Sequence, residues 1–245
     1  MSAQLTRAYQ AELKRTRQAV AAHVERSWKS LPDYRDAQVP VFLDKVLPVV
    51  KAGQDRAVAL TNAYLSRKLG VQPIGLNVEA LTGASARNGV DPAQVYARPF
   101  TTVWTSVAKI GFAAAVAKGL ARAMSTADMD VAMASRNATL AYGQAEEKIV
   151  GWTRVADPSC CDYCQMLDGV ETGPDEPQPL HNNCGCTADP IIRTSGGGSE
   201  ESSSGMDSFS AGEQFDQVEI QDHGEMGPMI TDKSYNFTGP DDLQD

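Results

Sequence analysis

The chain has 245 residues, with 22 Lys+Arg against 31 Asp+Glu and a formal net charge of −9. That length allows one or two domains, and no run reaches the roughly 20 apolar residues that span a bilayer. The most apolar stretch, 103–117, is broken by Lys109, so no membrane partner is expected. The acidic balance lies at the end of the chain: 194–245 carries 12 acidic residues and one basic one, Lys233, whereas 1–193 carries 19 acidic and 21 basic. A near-neutral body offers little counterion-release drive, which leaves at most a weak DNA contact through basic helix faces.

In residues 2–31, Leu5, Tyr9, Leu13, Val20, Val24, Trp28 and Leu31 recur at helical steps and predict one amphipathic helix. Arg7, Lys14, Arg15, Arg17, Arg26 and Lys29 are assigned to its solvated basic side. Met1 leads directly into this charged pattern, so no leader peptide is expected and a reducing cytosol would keep thiols free. A second helix is predicted over 39–69, kinked or split at Pro48 and capped by Gly70, with the two helices packed as an antiparallel hairpin. Residues 70–91 read as a connector with one short helix. Asp91-Pro92 starts the next helix, which Pro99 is expected to interrupt. Residues 102–124 are rich in small side chains, and Ser125-Thr126-Ala127-Asp128 reads as a capping box that opens a further helix to about Glu147.

The pattern then changes. Residues 148–155, 169–173 and 186–193 favour strands, with a turn at Asp157-Pro158-Ser159 and a proline-rich loop before His181. Beyond Arg193, glycine, serine and acidic residues predict a tail that is mostly disordered. Its scattered Phe209, Phe215, Ile220, Met229, Ile230, Tyr235 and Phe237 are either docking anchors or part of a solvated tail. The expected fold is mainly α. It comprises an amino-terminal helical hairpin (1–70), a further helical region (71–147), a mixed α+β zinc-stapled subdomain (148–193) and a disordered acidic tail (194–245). A lobe of that size cannot build a sufficient apolar core alone, which is the reason for a staple.

Four of the five cysteines and one of three histidines fall in Cys161-x2-Cys164 and His181-x2-Cys184-x-Cys186. Thiolate and imidazole are the ligands Zn²⁺ prefers, and two short-spaced pairs can close around one ion. Disulfides, a redox C-x-x-C and plain packing thiols are the competing readings. Five donors compete for four positions: Cys184 and Cys186 contend for the last place, or both bind and His181 supports them. Cys160 reads as a small buried hydrophobe. A catalytic zinc would keep a position open for water, and the deaminase signature of H-x-E before P-C-x-x-C is absent. No catalytic residue and no small-molecule substrate are expected, and the zinc is expected to be structural.

Trp152, Asp157, Cys161, Cys164, Leu167-Asp168-Gly169, Pro179, His181, Cys184 and Cys186 together resemble the carboxy-terminal module of Mu F-like phage minor head proteins, the head morphogenesis proteins. The likeness covers 125–193. The chain departs from the family's closing H-P-N-C-R-C at Asn182, in place of proline, and at Gly185, in place of arginine. The resemblance implies a minor capsid protein of a tailed bacteriophage, found in the virion head and in host cytoplasm during assembly. Its implied partners are the portal protein, the major capsid protein or the scaffold protein. The alternative is a capsid maturation protease or zinc-dependent hydrolase, with Asp157, Asp162 and Glu171 as candidate bases. No G-x-S-x-G elbow is present, and His23 and His223 are poorly placed to act as bases.

Overall fold

The computed structural model describes residues 2–176, 178–181, 184–193 and 218–237. Helix α1 (Ser2–Lys29) buries Tyr9, Leu13, Val20, Val24 and Trp28, the stripe its spacing predicts. It packs antiparallel to α2 (Gln38–Leu69), because bonded partners ascend on one helix as they descend on the other. Thr6 meets Tyr64, Tyr9 meets Thr61, and Lys45 reaches Ser30. α2 runs unbroken through Pro48 and ends at Gly70, whose left-handed backbone (φ 68°) lets its N–H close on the Ser66 carbonyl. The connector holds two short helices rather than one, α3 (Val78–Leu81) and α4 (Gly83–Ala86).

Helix α5 (Pro92–Ile110) starts at Asp91, whose carboxylate accepts the Ala93 N–H at 2.8 Å. Two expectations fail beyond it. Pro99 does not interrupt α5, and no helix begins at Ser125, because α6 (Phe112–Ala145) is continuous from Gly111 onward. Packing decides both. A Cβ at Gly119 would lie 2.8 Å from the Pro99 carbonyl and 2.7 Å from Val103, so α6 seats against α5 where the proline costs a hydrogen bond. The capping-box residues serve tertiary contacts instead: Thr126 is buried, and Asp128 pairs with Arg17. The helix break falls at Gly111 (φ 80°), which has the conformation the turn needs.

α6 is the central helix, packed on α1, α2 and α5. Trp28 anchors the core, with ring centroids 4.9 Å from Phe100 and 5.4 Å from Phe42. Among the described residues no helix is long and apolar enough to cross a membrane.

The three expected strands form one antiparallel sheet in the order β2–β1–β3: β1 (Ile149–Val155), β2 (Glu171–Thr172) and β3 (Thr187–Ile192). The sheet of the lobe is built into the helical core. Ile149 and Trp152 belong to the same buried cluster as the helices, and Trp152 lies so close on α6 that a Cβ at Gly143 would meet it at 2.7 Å. On β3, Asp189 accepts from Tyr64 and, at 2.7 Å, from Lys68 of α2.

Much of the predicted tail, including Phe209 and Phe215, lies outside the described residues. Within it, the expectation of disorder fails for 218–237. These residues form a hairpin, β4 (Val218–Asp222) and β5 (Pro228–Asp232), docked on the body. Met226 and Met229 pack with Met129 and Met133 of α6. Glu225 accepts from Arg98 at 2.6 and 2.8 Å and from Arg87 at 3.5 Å. The Ile230 N–H donates to the Leu180 carbonyl at 2.7 Å, while the Leu180 N–H donates to Pro228 at 3.1 Å. Composition pointed to disorder because it counts Glu225 as solvated charge, whereas two arginines neutralise it inside the fold.

Burial alone would raise the Glu225 carboxyl, but its bond with Arg98 and the nearby cations outweigh burial and hold it below the ordinary value. Its contribution is therefore complete above the unfolded pKa and is lost as pH falls through the lower folded one. Glu225→Gln should loosen the hairpin at neutral pH as acid does in the parent. Faster amide exchange at Ile230 would report it, and unchanged exchange would refute it.

Candidate metal centre

Alternation along β1 turns Trp152 and Arg154 inward, both fully or almost fully buried. The chain then turns at Asp157, whose Oδ1 accepts the Ser159 N–H at 2.8 Å and the Ser159 hydroxyl, with Lys14 Nζ 3.4 Å away. Burial would raise the Asp157 carboxyl, but these bonds outweigh it and hold it low. The turn delivers Cys161 to the amino-terminal end of a short helix that the sequence did not suggest, α7 (Asp162–Met166), with Cys164 buried one turn on. On the other side, a turn closed by the Cys184 N–H on the His181 carbonyl (3.0 Å) brings Cys184 under Cys164. The Cys186 N–H then points at Cys184 Sγ at 3.3 Å.

All five expected donors meet here. Cys161, Cys164 and His181 form one triad, and Cys164, Cys184 and Cys186 form a second, the donor atoms of each lying within 4.8 Å of one another. Cys164 belongs to both. Its sulfur is 3.2 Å from that of Cys184, and Cys161 Sγ is 3.9 Å from His181 Nδ1. The five cysteines are free, with Cys160 half-buried and in neither triad. This cluster of Cys161, Cys164, His181, Cys184 and Cys186 could hold a metal ion. The thiols share protons unevenly. Hydrogen bonds with Cys184 and Cys186, then burial, push the Cys164 thiol up, whereas hydrogen bonds from Cys164 and Cys184 hold Cys186 low against its burial. A cation bound here would displace the protons that the thiols carry.

Two arginines complete the surroundings. The Arg154 guanidinium lies 3.6 Å from Cys184 Sγ and 3.8 Å from Cys164 Sγ, and it also donates to the Pro179 carbonyl at 2.8 Å. A fixed cation beside thiolates offsets their negative charge, and its N–H groups orient the sulfurs. Arg17 of α1 is buried, donates to the Cys184 carbonyl and pairs with Asp128 of α6. It does not sit on the solvated basic face, because it stands in the Leu13–Val20–Val24 stripe. That position was the available signal. A charged residue at an inward strand position was the corresponding one for Arg154.

No protein-family model, curated protein or solved structure matches the chain.

Asp162, Glu171, His23 and His223 belong to neither triad. Asp162 and Glu171 are exposed. His23 Nε2 lies 3.0 Å from the Lys45 carbonyl, and His223 is buried against Phe237 with ring centroids 4.5 Å apart. Asn182 is outside the described residues. Gly185 is pressed on Asp157, where a Cβ would come within 2.9 Å of Oδ2, so the position has no room for a side chain as the turn is built.

Proposed function

We propose that the chain is a structural minor head protein of a tailed bacteriophage, with a structural zinc ion that fixes its sheet lobe on a helical body. The observation that carries this reading is the donor cluster at the motif's own positions, tied into the helices through Arg17. Sulfur donors with one imidazole favour zinc over the oxygen-seeking Mg²⁺ and Ca²⁺. A buried ligand such as Cys164 suits an ion that holds structure.

The partner under this reading is the portal, the major capsid protein or the scaffold. The elbow between α5 and α6 is a suitable contact, because Trp104, Val107, Ile110 and Phe112 are exposed there and Phe112 keeps 60% of its surface. Apolar residues gathered in this way mark association surfaces. The purified chain should co-sediment with portal oligomers or procapsids, and Phe112→Glu should abolish that while leaving the helical circular dichroism unchanged. Failure of the parent chain to co-sediment with either would end the proposal. Cleavage of scaffold or coat protein, or nicking of DNA, that Asp157→Ala removes with the metal retained would favour the hydrolase instead.

A further inference from the structure

Between α6 and the metal lobe lies a cavity of about 40 Å³, lined among others by Arg136, Arg154, Gln178 and Glu176. At roughly 10–15 Å³ for each water-sized occupant, it holds a few heavy atoms and excludes a nucleotide or a peptide. Its walls are rich in unused donors. Arg136 Nε, Arg154 Nε and Gln178 Nε2 are all buried without a hydrogen-bond partner among the described residues.

The charges are unbalanced in the same sense. Arg17, also on the wall, is neutralised by Asp128. Arg154 faces the sulfurs, which offset it once they are thiolates. Among the described residues Arg136 has neither kind of partner: it donates to the Met226 carbonyl at 2.5 Å and the Pro228 carbonyl at 3.5 Å, and burial pushes its guanidinium down to about 10. Glu176, the acid on the wall, is exposed and accepts the Gly173 N–H at 3.1 Å. Water would satisfy the N–H groups but leave the charge of the half-buried Arg136 uncompensated, at a cost that grows with its burial. An oxyanion satisfies both, since guanidinium groups match its oxygens.

We infer that this cavity is a binding site for a small inorganic oxyanion of the phosphate or sulfate class, joining α6, the metal lobe and the loop at Gln178. The site stands whether or not the chain is a head protein.

The test is calorimetric titration of the full-length, metal-replete chain with inorganic phosphate, in chloride buffer at constant ionic strength. The expected result is saturable binding of one phosphate per chain. The melting temperature should rise by about 5 °C at 100 times the dissociation constant. Sulfate should compete. Arg136→Gln should weaken binding at least tenfold while keeping the metal, and Gln178→Leu should weaken it severalfold. No saturable heat with the parent chain overturns the inference, as does equal affinity in both variants. Phosphate bound to the metal ion itself would survive Arg136→Gln and vanish on chelation, and that result overturns it too.

Discussion

Replacing Cys164 with serine should strip the metal from the chain and release the sheet lobe. Cys164 is the donor common to both triads, and its side chain is fully buried, so its loss leaves neither triad intact. Binding free energy at a structural site is folding free energy, on the order of 10 kcal/mol in small metal-dependent units. Part of the lobe will persist here, because Trp152 and Ile149 are held in the helical core. The loss should therefore concentrate in 156–186, between the strands that core secures. Metal content should fall from about one ion per chain to below about 0.2, with fast amide exchange across those residues. Chelation of the parent should reproduce the pattern. Cys160→Ser should keep the full metal content, since Cys160 is outside both triads. Single serine replacements of Cys161 and Cys186 would show which triad contributes more. Full metal in Cys164→Ser would mean that the cluster is not a metal site.

Asp130→Ala should destabilise the helical body by about 3–5 kcal/mol, the cost of breaking a buried ion pair from one side. Asp130 is 3% exposed in the middle of α6. It accepts from Arg87 Nε at 2.5 Å and from the Tyr96 hydroxyl at 2.7 Å. Without it, Arg87 is buried with only the 3.5 Å contact to Glu225, and the Tyr96 hydroxyl loses its acceptor. At roughly 2–4 °C for each kcal/mol in a chain of this size, the melting temperature should fall by about 10 °C. The pair replacement Arg87→Met with Asp130→Leu should recover much of the loss, because removing both charges also removes their desolvation cost. Equal melting temperatures for parent and Asp130→Ala would mean that the network is solvated.

Elements set by side-chain periodicity could be read from the sequence alone. The α1 stripe, the inward alternation of β1 and the glycine cap of α2 each follow from a local rule, as does the short spacing that brings five metal-type donors together. Features decided by contacts between distant segments could not. Ser125–Asp128 satisfies a helix-start pattern, but Asp128 is claimed by Arg17 from a helix more than a hundred positions away. Pro99 ought to break α5, yet Gly119 lets α6 pack against its carbonyl. The hairpin at 218–237 is hidden by its acidic setting, because nothing local to Glu225 announces Arg87 and Arg98. Arg17 was assigned to the solvated basic side although its position in the apolar stripe of α1 marked it as buried.

The pairing of β5 with Leu180 has a consequence for biosynthesis. The loop that carries His181 leaves the ribosome well before Pro228 and Ile230, which later fix its neighbour Leu180 in place. Until they emerge, Leu180 lacks both of its backbone partners on β5, so the segment that leads into His181 completes its pairing only late in synthesis.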